Sequence, residues 1–288
     1  MEATQQKNLV DQQFPFNMFI DDESEFPPHW HKELEIVYVL EGMVDMGLNS
    51  RIYTLRSRDI FLAGKGEVHY FLPHSGAIRK IIIHFDLAML ESISPEFQEY
   101  RWQVPLIRGP ASGVFDFGEA AALHRDLEEQ ILALDREYTA REAGYKIAMM
   151  ARLCDLYTGL IRRVPLERHS RLESDKHWKQ LERLELVFRF VAAHYAEPVQ
   201  LAEAAAAAGF SVFHFTRFFK DATGMTFLQY LHHYRIARAA RSLGTTTEPV
   251  IDIALQSGFD SIQSFNRVFK QLKGCSPSQY RKRFLETE

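Results

Sequence analysis

The chain has 288 residues, which is long enough for two domains at the usual size of about 100 to 200 residues each. Apolar residues make up 46% and charged residues 25%, so the composition matches an ordinary globular protein and does not favour a disordered chain. The two cysteines, Cys154 and Cys275, form no CxxC pair, which excludes a disulfide framework and a zinc knuckle and fits a reducing compartment. No apolar run reaches the roughly 18 residues that cross a bilayer, and the first residues lack the pattern of a signal peptide. We therefore expect a cytoplasmic protein with no membrane partner.

The net charge of −4 is distributed unevenly along the chain. Residues 177–288 contain 14 Lys and Arg against 10 Asp and Glu, a net charge of +4, whereas residues 1–176 contain 20 against 28, a net charge of −8. A positive charge of this size is common on solvated helical surfaces. Charge alone therefore does not assign a nucleic-acid partner, and the assignment needs a sequence pattern.

Short β-strands are predicted from Pro27 to about Phe85. Runs rich in apolar and β-branched residues are separated by Gly, Pro, Asn and Ser, as expected for strands joined by tight turns. The predicted strands are residues 34–40, 43–48, 51–55, 59–63, 68–72 and 78–85. This spacing indicates a small antiparallel barrel or sandwich, and we assign an antiparallel β-barrel to residues 1–118.

Two amphipathic helices are predicted after the barrel, at residues 119–136 and 143–163, because the apolar period changes from two to about 3.6. The apolar residues that recur at steps of three and four in the first helix are Leu123, Leu127, Ile131 and Leu134. The polar stretch 164–177 has no clear period and is expected to be a linker. Residues 178–288 read as helical throughout, so the predicted fold class is mixed, with a β-barrel plus helices followed by an all-α domain.

An internal repeat runs through the C-terminal domain. Phe215, Arg217, Phe219, Lys220, Gly224 and Tyr230 recur 50 positions later as Phe265, Arg267, Phe269, Lys270, Gly274 and Tyr280. The EPV of residues 197–199 likewise returns at 248–250. Matches of this density indicate a duplicated structural unit.

Each copy of the repeat reads as a short helix, a tight turn at glycine and a second helix. Gly209 and Gly258 suit a turn that needs a positive φ, and Ser211 and Asp260 are expected to cap the second helices. This is the arrangement of a helix-turn-helix unit. The sequence therefore predicts two such units.

The second helix of each unit is predicted to read DNA. Its phenylalanines lie four residues apart and should face the core, so other positions of the helix, Ile262 included, should face outward. Arg, Asn and Gln can hydrogen-bond base edges in the major groove, whereas Lys suits phosphate. The predicted DNA-binding residues are Phe213, His214, Thr216, Arg217 and Lys220 in the first unit and Gln263, Ser264, Asn266, Arg267 and Lys270 in the second. Residues 226–243 contain no Gly or Pro and should form one helix that holds the units about one DNA turn apart.

Helical repeats with aromatic cores also occur in proteins that bind other proteins, and this is the alternative. The doubled pattern and the matched arginines, Arg217 and Arg267, favour double-stranded DNA as the partner.

The second copy, GFDSIQSFNRVFKQLKGCSPSQYRKRF, resembles the signature of the AraC/XylS family of bacterial transcription regulators nearly throughout, and the resemblance covers residues 178–288. It implies a bipartite DNA-binding domain, a homodimer on tandem or inverted sites, and activation through contact with RNA polymerase. It also implies that residues 119–163 form a dimerisation surface, with packing of these helices on the barrel as the alternative.

A histidine and glutamate pattern lies near the start of the barrel. The segment HWHKELEIVYVLEG places His29, His31 and Glu35 at odd positions, which share one face of an extended strand, and His69 from another strand could complete the set. The pattern looks like the first motif of the cupin barrel, the usual effector domain of such regulators. The second cupin motif departs from the expected pattern, because Arg58 stands where a glycine is expected.

The resemblance implies that these four residues line the pocket of a small polar effector, and sugars are the class that the family suggests. In metal cupins the same positions bind a divalent metal, so a metal site and a purely structural role are the alternatives. We expect no cofactor and no enzymatic activity. A metal-dependent cupin enzyme fused to a DNA-binding or interaction module is the second functional hypothesis, and a regulator that responds to no ligand is the third.

Overall fold

The computed structural model describes residues 9–10, 14–72, 76–91, 100–110, 118–168 and 170–285. A β-rich N-terminal domain precedes a helical C-terminal domain, which confirms the predicted fold class. The strands are β1 (Phe16–Asp21), β2 (Phe26–His29), β3 (Leu34–Leu48), β4 (Arg51–Arg56), β5 (Ile60–Ala63), β6 (His69–Leu72), β7 (Ile78–Phe85), β8 (Tyr100–Trp102), β9 (Leu106–Ile107) and β10 (Leu166–Arg168). The helices are α1 (Ala88–Glu91), α2 (Glu119–Ala140), α3 (Tyr145–Arg163), α4 (Arg171–His194), α5 (Leu201–Ala207), α6 (Val212–Thr223), α7 (Phe227–Thr245), α8 (Val250–Gln256), α9 (Ile262–Lys273) and α10 (Pro277–Leu285). Among the described residues, no helix combines the length and the apolarity needed to cross a membrane.

The longest strand, β3, takes part in both layers of the barrel. Its first half pairs antiparallel with β7 and β5, and its second half pairs antiparallel with β4 and β6. The strand bends at a register shift between Val39 and Glu41, just before Gly42, whose φ of +86° few other residues adopt. The sequence predicted two strands here, at 34–40 and 43–48, because Gly42 reads as a turn. The structure joins them into one bent strand.

Most of the barrel interior is apolar. Val37, Val39, Met46, Phe61 and Ile82 belong to the same buried cluster between the two layers. Because side chains alternate along a strand, Glu35 points to the same side of β3 as Val37 and Val39. A carboxylate therefore enters the barrel interior, where it needs polar partners.

The α2–α3 pair packs on the outer face of the sheet. The apolar faces of both helices share a buried cluster with β3, β5 and β7. Arg58, where the cupin pattern expects glycine, has φ +69° and makes two hydrogen bonds to the carboxylate of Glu128 in α2. The apolar stripes that predicted these helices are thus buried within the chain. Dimerisation through residues 119–163 stays a prediction, and it would have to use the exposed side of the pair.

The segment 164–177, predicted as a linker, contains regular structure. Leu166–Arg168 form β10, which pairs with β8, and α4 begins at Arg171. Ser170 caps this helix in a capping box with Glu173. The first turns of α4 carry mostly polar side chains, so hydrophobic periodicity did not reveal them. Residues 1–8 and 111–117 of the predicted barrel lie outside the described residues, and the domain boundaries stay a prediction.

The C-terminal domain consists of α4 followed by two units of three helices. The first unit contains α5, α6 and the start of α7, and the second contains α8, α9 and α10. The first packs with α4 around Phe188, Phe215 and Phe219, and the second has its own core around Phe265 and Phe269. The helix α7 runs from one unit to the other as a single element, as residues 226–243 predicted.

Candidate effector site and nucleic-acid interface

The helices α6 and α9 begin and end in the same way. Ser211 accepts a hydrogen bond from the amide of His214, and Ser261 accepts one from the amide of Ser264. Gly224 and Gly274 end the two helices in the left-handed conformation. The capping residue predicted for the second unit, Asp260, was wrong by one position. Ser261 lies at the true equivalent of Ser211, and the acidic neighbour obscured it.

The turn before each of these helices contains the predicted glycine. Gly209 has φ +71° and Gly258 has φ +84°, which confirms the expectation of a left-handed turn residue at both positions. The second turn is also tightly packed, because the main-chain carbonyl of Tyr195 and the guanidinium of Arg235 approach Gly258 closely. Arg235 is buried and donates hydrogen bonds to the carbonyls of Tyr195, at 2.7 Å, and Glu197, at 2.8 Å. These contacts hold the turn of the second unit against the residues that follow α4.

The predicted DNA-binding side chains lie mainly on the exposed faces of α6 and α9. The exposed residues are Phe213, His214, Thr216, Arg217, Lys220, Gln263, Asn266, Arg267 and Lys270. Phe213 is 81% exposed. Ser264 is half-buried. Ile262 is half-buried against the core of the second unit, so its predicted outward orientation was wrong.

The predicted effector residues are brought together at one end of the barrel. His29, His31, Glu35 and His69 are all buried, and one donor atom from each lies within 4.8 Å of the others. The reason differs from the one that the sequence suggested, because the first three do not share one strand. His29 ends β2, His31 lies in the connection after it, and Glu35 lies in β3. His29 is paired across the sheet with His69 of β6.

A fourth histidine, His84 of β7, was missed by the sequence reasoning. It lies directly opposite Glu35 in the β3–β7 register, and its Nε2 is 2.7 Å from Glu35 Oε2. The strand IRKIIIHF was predicted, but strand pairing was not. The presence of a histidine next to a run of three isoleucines was the only signal in the sequence that could have suggested a buried role for residue 84.

Backbone carbonyls fix the orientation of three histidine rings. The Nδ1 atoms of His29, His31 and His69 lie 3.0, 3.0 and 2.8 Å from the carbonyl oxygens of Pro27, Glu33 and Glu67, respectively. A carbonyl oxygen can only accept, so each Nδ1 must carry a hydrogen and donate it. In a neutral ring the hydrogen is then absent from Nε2. Nε2 of His31 and Nε2 of His69 lie 3.3 and 3.4 Å from Glu35 Oε2.

The burial and charges of this cluster shift its pKa values in different directions. Burial lowers the pKa of His29 well below its ordinary value, and the charge of His69 adds to this effect. Burial also lowers the pKa of His31. For Glu35, burial would raise the pKa, but His69, His31 and His84 outweigh it and hold the pKa well below the ordinary value. Burial opposes protonation of His69, yet the charge of Glu35 raises the pKa of this ring above its ordinary value. The cluster therefore contains an ionised carboxylate in a buried place.

The barrel and the helical domain are in direct contact. Trp30 packs edge-on against Trp178 of α4, with ring centroids 5.8 Å apart, and Val68 and Tyr70 belong to the same buried cluster as the core of the first unit. A Cβ added to Gly224, which ends α6, would lie 2.9 Å from the hydroxyl oxygen of Tyr70. The two domains therefore share a hydrophobic core.

The junction between the barrel and the helical domain also contains polar contacts, and these contacts involve both helix-turn-helix units. Glu25, in the connection between β1 and β2, is nearly buried and forms an ion pair with Lys273 at the end of α9 and a 3.3 Å contact with His233 of α7. A cavity of about 500 Å³ lies between α4, α6 and the barrel, and His214 and Arg217 line it. The barrel thus touches both units close to the helices that are predicted to read DNA.

Comparison with known proteins assigns both domains. The family model "AraC-like ligand binding domain" matches residues 20–181, which is more than half of the chain, and the model "Helix-turn-helix domain" matches residues 204–283. The chain belongs to the AraC family of regulators. The first match joins the barrel, the α2–α3 pair and the start of α4, and the second spans the two units. The resemblance predicted from the second copy of the repeat is confirmed.

Among known proteins, the chain is similar to the right origin-binding protein of Escherichia coli strain K12, with 42% identity over 89 residues that cover 31% of each chain. It is also similar to the transcriptional activator RhaR of Mannheimia succiniciproducens, with 32% identity over 114 residues that cover 40% of this chain and 41% of the relative. The chain thus matches less than half the length of these relatives. Among solved structures, the DNA-binding domain of AdpA in complex with a target DNA has 30% identity, covers 35% of this chain and 92% of that one, and gives a TM-score of 0.34. RhaR is named as a transcriptional activator, and a further relative, Rob of Salmonella typhimurium, is named as a transcriptional regulator, in agreement with the prediction that this chain is not an enzyme.

Proposed function

We propose that this protein is a sequence-specific DNA-binding regulator of transcription that responds to an effector bound in its barrel. The observation that carries the proposal is the pair of equivalent units, each with a capped helix whose apolar side is buried and whose polar side is exposed. Arg217 in α6 and Arg267 in α9 occupy equivalent places on the exposed side. Membership of the AraC family supports the same function.

The two units would read consecutive segments of the major groove. Arg267, Asn266 and Gln263 carry the side-chain types that discriminate guanine and adenine edges, and Lys220 and Lys270 suit phosphates. The helix α7 has 19 residues and is therefore about 28 Å long at about 1.5 Å per residue. Two recognition helices joined by such a connection would suit half-sites about one DNA turn, roughly 34 Å, apart.

The effector would bind among His29, His31, Glu35 and His69. A small polar compound matches this lining, and a sugar is one candidate class. We further propose that the protein is a homodimer and that it activates transcription through contact with RNA polymerase. The named function of the RhaR relative, a transcriptional activator, supports activation.

Selection of genomic fragments by the purified full-length protein tests the proposal. The selection should be made at about 0.15 M salt, because the phosphate contribution to DNA affinity depends on salt concentration. We expect enrichment of a motif with two boxes about one helical turn apart. The double variant Arg217→Ala, Arg267→Ala is the matched control, because both side chains are exposed and their removal leaves the two cores intact. Absence of an enriched motif for the wild type, or an unchanged motif for the control, would contradict the proposal.

A reporter assay distinguishes activation from repression. The selected operator is placed upstream of a weak promoter, and expression is compared with and without the protein. A rise in expression supports the activator assignment. A fall in expression at an operator that the protein binds would show that the protein is a repressor and would leave DNA recognition intact.

A further inference from the structure

The helix α7 contributes side chains to two separate cores. Tyr230 and Tyr234 belong to the core of the first unit, whereas Ile236 and Ala239 belong to the core of the second. Arg235 lies at the point where the helix passes from one core to the other, and its side chain is buried. A guanidinium keeps its charge when it is buried, so it needs hydrogen-bond acceptors there.

The neighbours of Arg235 come from both sides of this boundary. Its Nε and Nη2 donate to the carbonyls of Tyr195 and Glu197, which follow α4 and lead into the first unit. Carbonyls at the C-terminal end of a helix lack partners within the helix and carry its partial negative charge, so a cation is a favourable neighbour. On the other side, the guanidinium lies 5.9 Å from the ring centroid of Phe259, in the core of the second unit, and against the turn at Gly258. One side chain therefore joins the end of α4 to the turn before α9.

The equivalent turn of the first unit has different surroundings. A Cβ added to Gly209 meets no described atom within 4 Å, whereas a Cβ added to Gly258 would lie 2.2 Å from the carbonyl oxygen of Tyr195 and 2.8 Å from Nε of Arg235. Both glycines serve the same left-handed turn within their own unit. The crowding at Gly258 is therefore not required by the helix-turn-helix arrangement itself. It belongs to a contact between the two units.

We propose that Arg235 is a positioning residue that fixes α9 relative to α6 and thereby sets the spacing of the two DNA boxes that the protein accepts. The proposal rests on the DNA-reading function proposed above. A continuous helix sets the distance between the units, but long helices are rarely straight. A bend of about 10° in the middle of α7 would displace the second unit by about 2.5 Å over half the helix length, which approaches the base-pair rise of about 3.4 Å. Such a bend would move the turn at Gly258 relative to the residues that follow α4, and the guanidinium held between them opposes this movement.

The spacing preference is measured with the selected operator and with two versions in which one base pair is inserted or deleted between the boxes. We expect the full-length wild-type protein to prefer the selected spacing by at least about ten-fold, within the range for one mismatched base pair. In Arg235→Met, which keeps an unbranched side chain but removes the donors, the preference should fall below about three-fold, since bent forms of α7 could then reach the shifted box. A variant that had only lost stability would lose affinity for all three operators by the same factor and would keep the ratio.

Matched variants locate the effect. Arg235→Lys keeps the charge but not the planar fork that reaches two carbonyls, so its preference should be intermediate. Arg241→Met makes the same change as Arg235→Met at an exposed position of α7 and should keep the wild-type preference. The ion pair between Lys273 and Glu25 of the barrel is the competing constraint on α9. A wild-type ratio in a folded Arg235 variant, or a loss of the preference in Glu25→Gln but not in Arg235→Met, would overturn the proposal.

A distance measurement without DNA separates this proposal from the proposed function. Spin labels are attached at Lys220→Cys in α6 and Lys270→Cys in α9, two exposed and equivalent positions, after the replacements Cys154→Ala and Cys275→Ala. Double electron–electron resonance should give a narrow distance distribution with Arg235 present and a broader one in Arg235→Met. Equal distributions would overturn the positioning role. A broadening in a protein that binds no operator would contradict the proposed function instead and would leave the role of Arg235 in fixing the two helices standing.

Discussion

The two glycines of the helix-turn-helix turns offer a matched pair of substitutions. In Gly209→Ala, the added Cβ meets no described atom within 4 Å, so only the left-handed backbone opposes the change. That conformation costs about 1 to 2 kcal/mol for a residue with a Cβ, and the loss of chain entropy in the unfolded state returns about 0.4 to 1 kcal/mol. We therefore expect Gly209→Ala to lower the free energy of unfolding by about 1 kcal/mol.

Gly258→Ala should be much more destabilising, although its φ is similar. The added Cβ would lie 2.2 Å from the carbonyl oxygen of Tyr195 and 2.8 Å from Nε of Arg235. Forcing an atom into a packed place costs about 1 to 3 kcal/mol, and displacement of the guanidinium from its carbonyl partners adds about 1.5 to 3 kcal/mol. With the backbone cost of about 1 kcal/mol included, the total loss should be about 3.5 to 7 kcal/mol, which is comparable with the whole stability of a small domain.

Urea unfolding followed by far-ultraviolet circular dichroism measures both losses, and operator affinity measured below the unfolding transition gives the functional effect. Because α9 follows the turn at Gly258, this variant should also lose operator affinity while Gly209→Ala retains it. If the two variants were destabilised equally, within about 0.5 kcal/mol, the close approach of Tyr195 and Arg235 would not be what requires glycine at 258.

Three further predictions concern single residues. Arg217→Ala and Arg267→Ala should each weaken operator binding by about 1 to 3 kcal/mol and relax the base preference at a few adjacent base pairs. If both variants discriminated between operator sequences as the wild type does, α6 and α9 would not be the helices that read DNA. Lys270→Ala should weaken binding to all sequences about equally and reduce the salt dependence of the affinity, and a sequence-dependent loss would show that Lys270 contacts bases. Burial alone would raise the pKa of Glu25, but His233 and Lys273 lower the pKa below the ordinary 4.5. The contribution of the Glu25 carboxylate to stability is therefore present above about pH 4.5 and is lost as the pH falls through the lowered pKa. Glu25→Gln should remove that part of the acid sensitivity, and an identical pH profile of urea unfolding for the variant would show that the carboxylate does not hold the junction.

Much of the DNA-binding domain follows from local pattern. Three features of short segments each agree with the structure: the 50-residue repeat, the glycines of the two turns and the phenylalanines four residues apart. The errors are also local. Asp260 was taken for the cap that Ser261 provides, and Ile262 was placed outside although the core of the second unit partly covers it. In the first case, two neighbouring residues of similar chemistry compete for one role, and only their backbone positions decide between them.

The amino-acid sequence by itself determined that a β-rich domain precedes two helix-turn-helix units and that His29, His31, Glu35 and His69 are worth attention, because periodicity and residue type are properties of short segments. Tertiary structure alone decided what surrounds those four residues. His84 reaches Glu35 only because β7 lies beside β3 in one particular register, and a shift by one residue would turn it to the other face of the sheet. Likewise, the packing of Trp30 on Trp178 depends on how two domains meet, and no periodicity within either segment encodes a contact between residues so far apart in the chain.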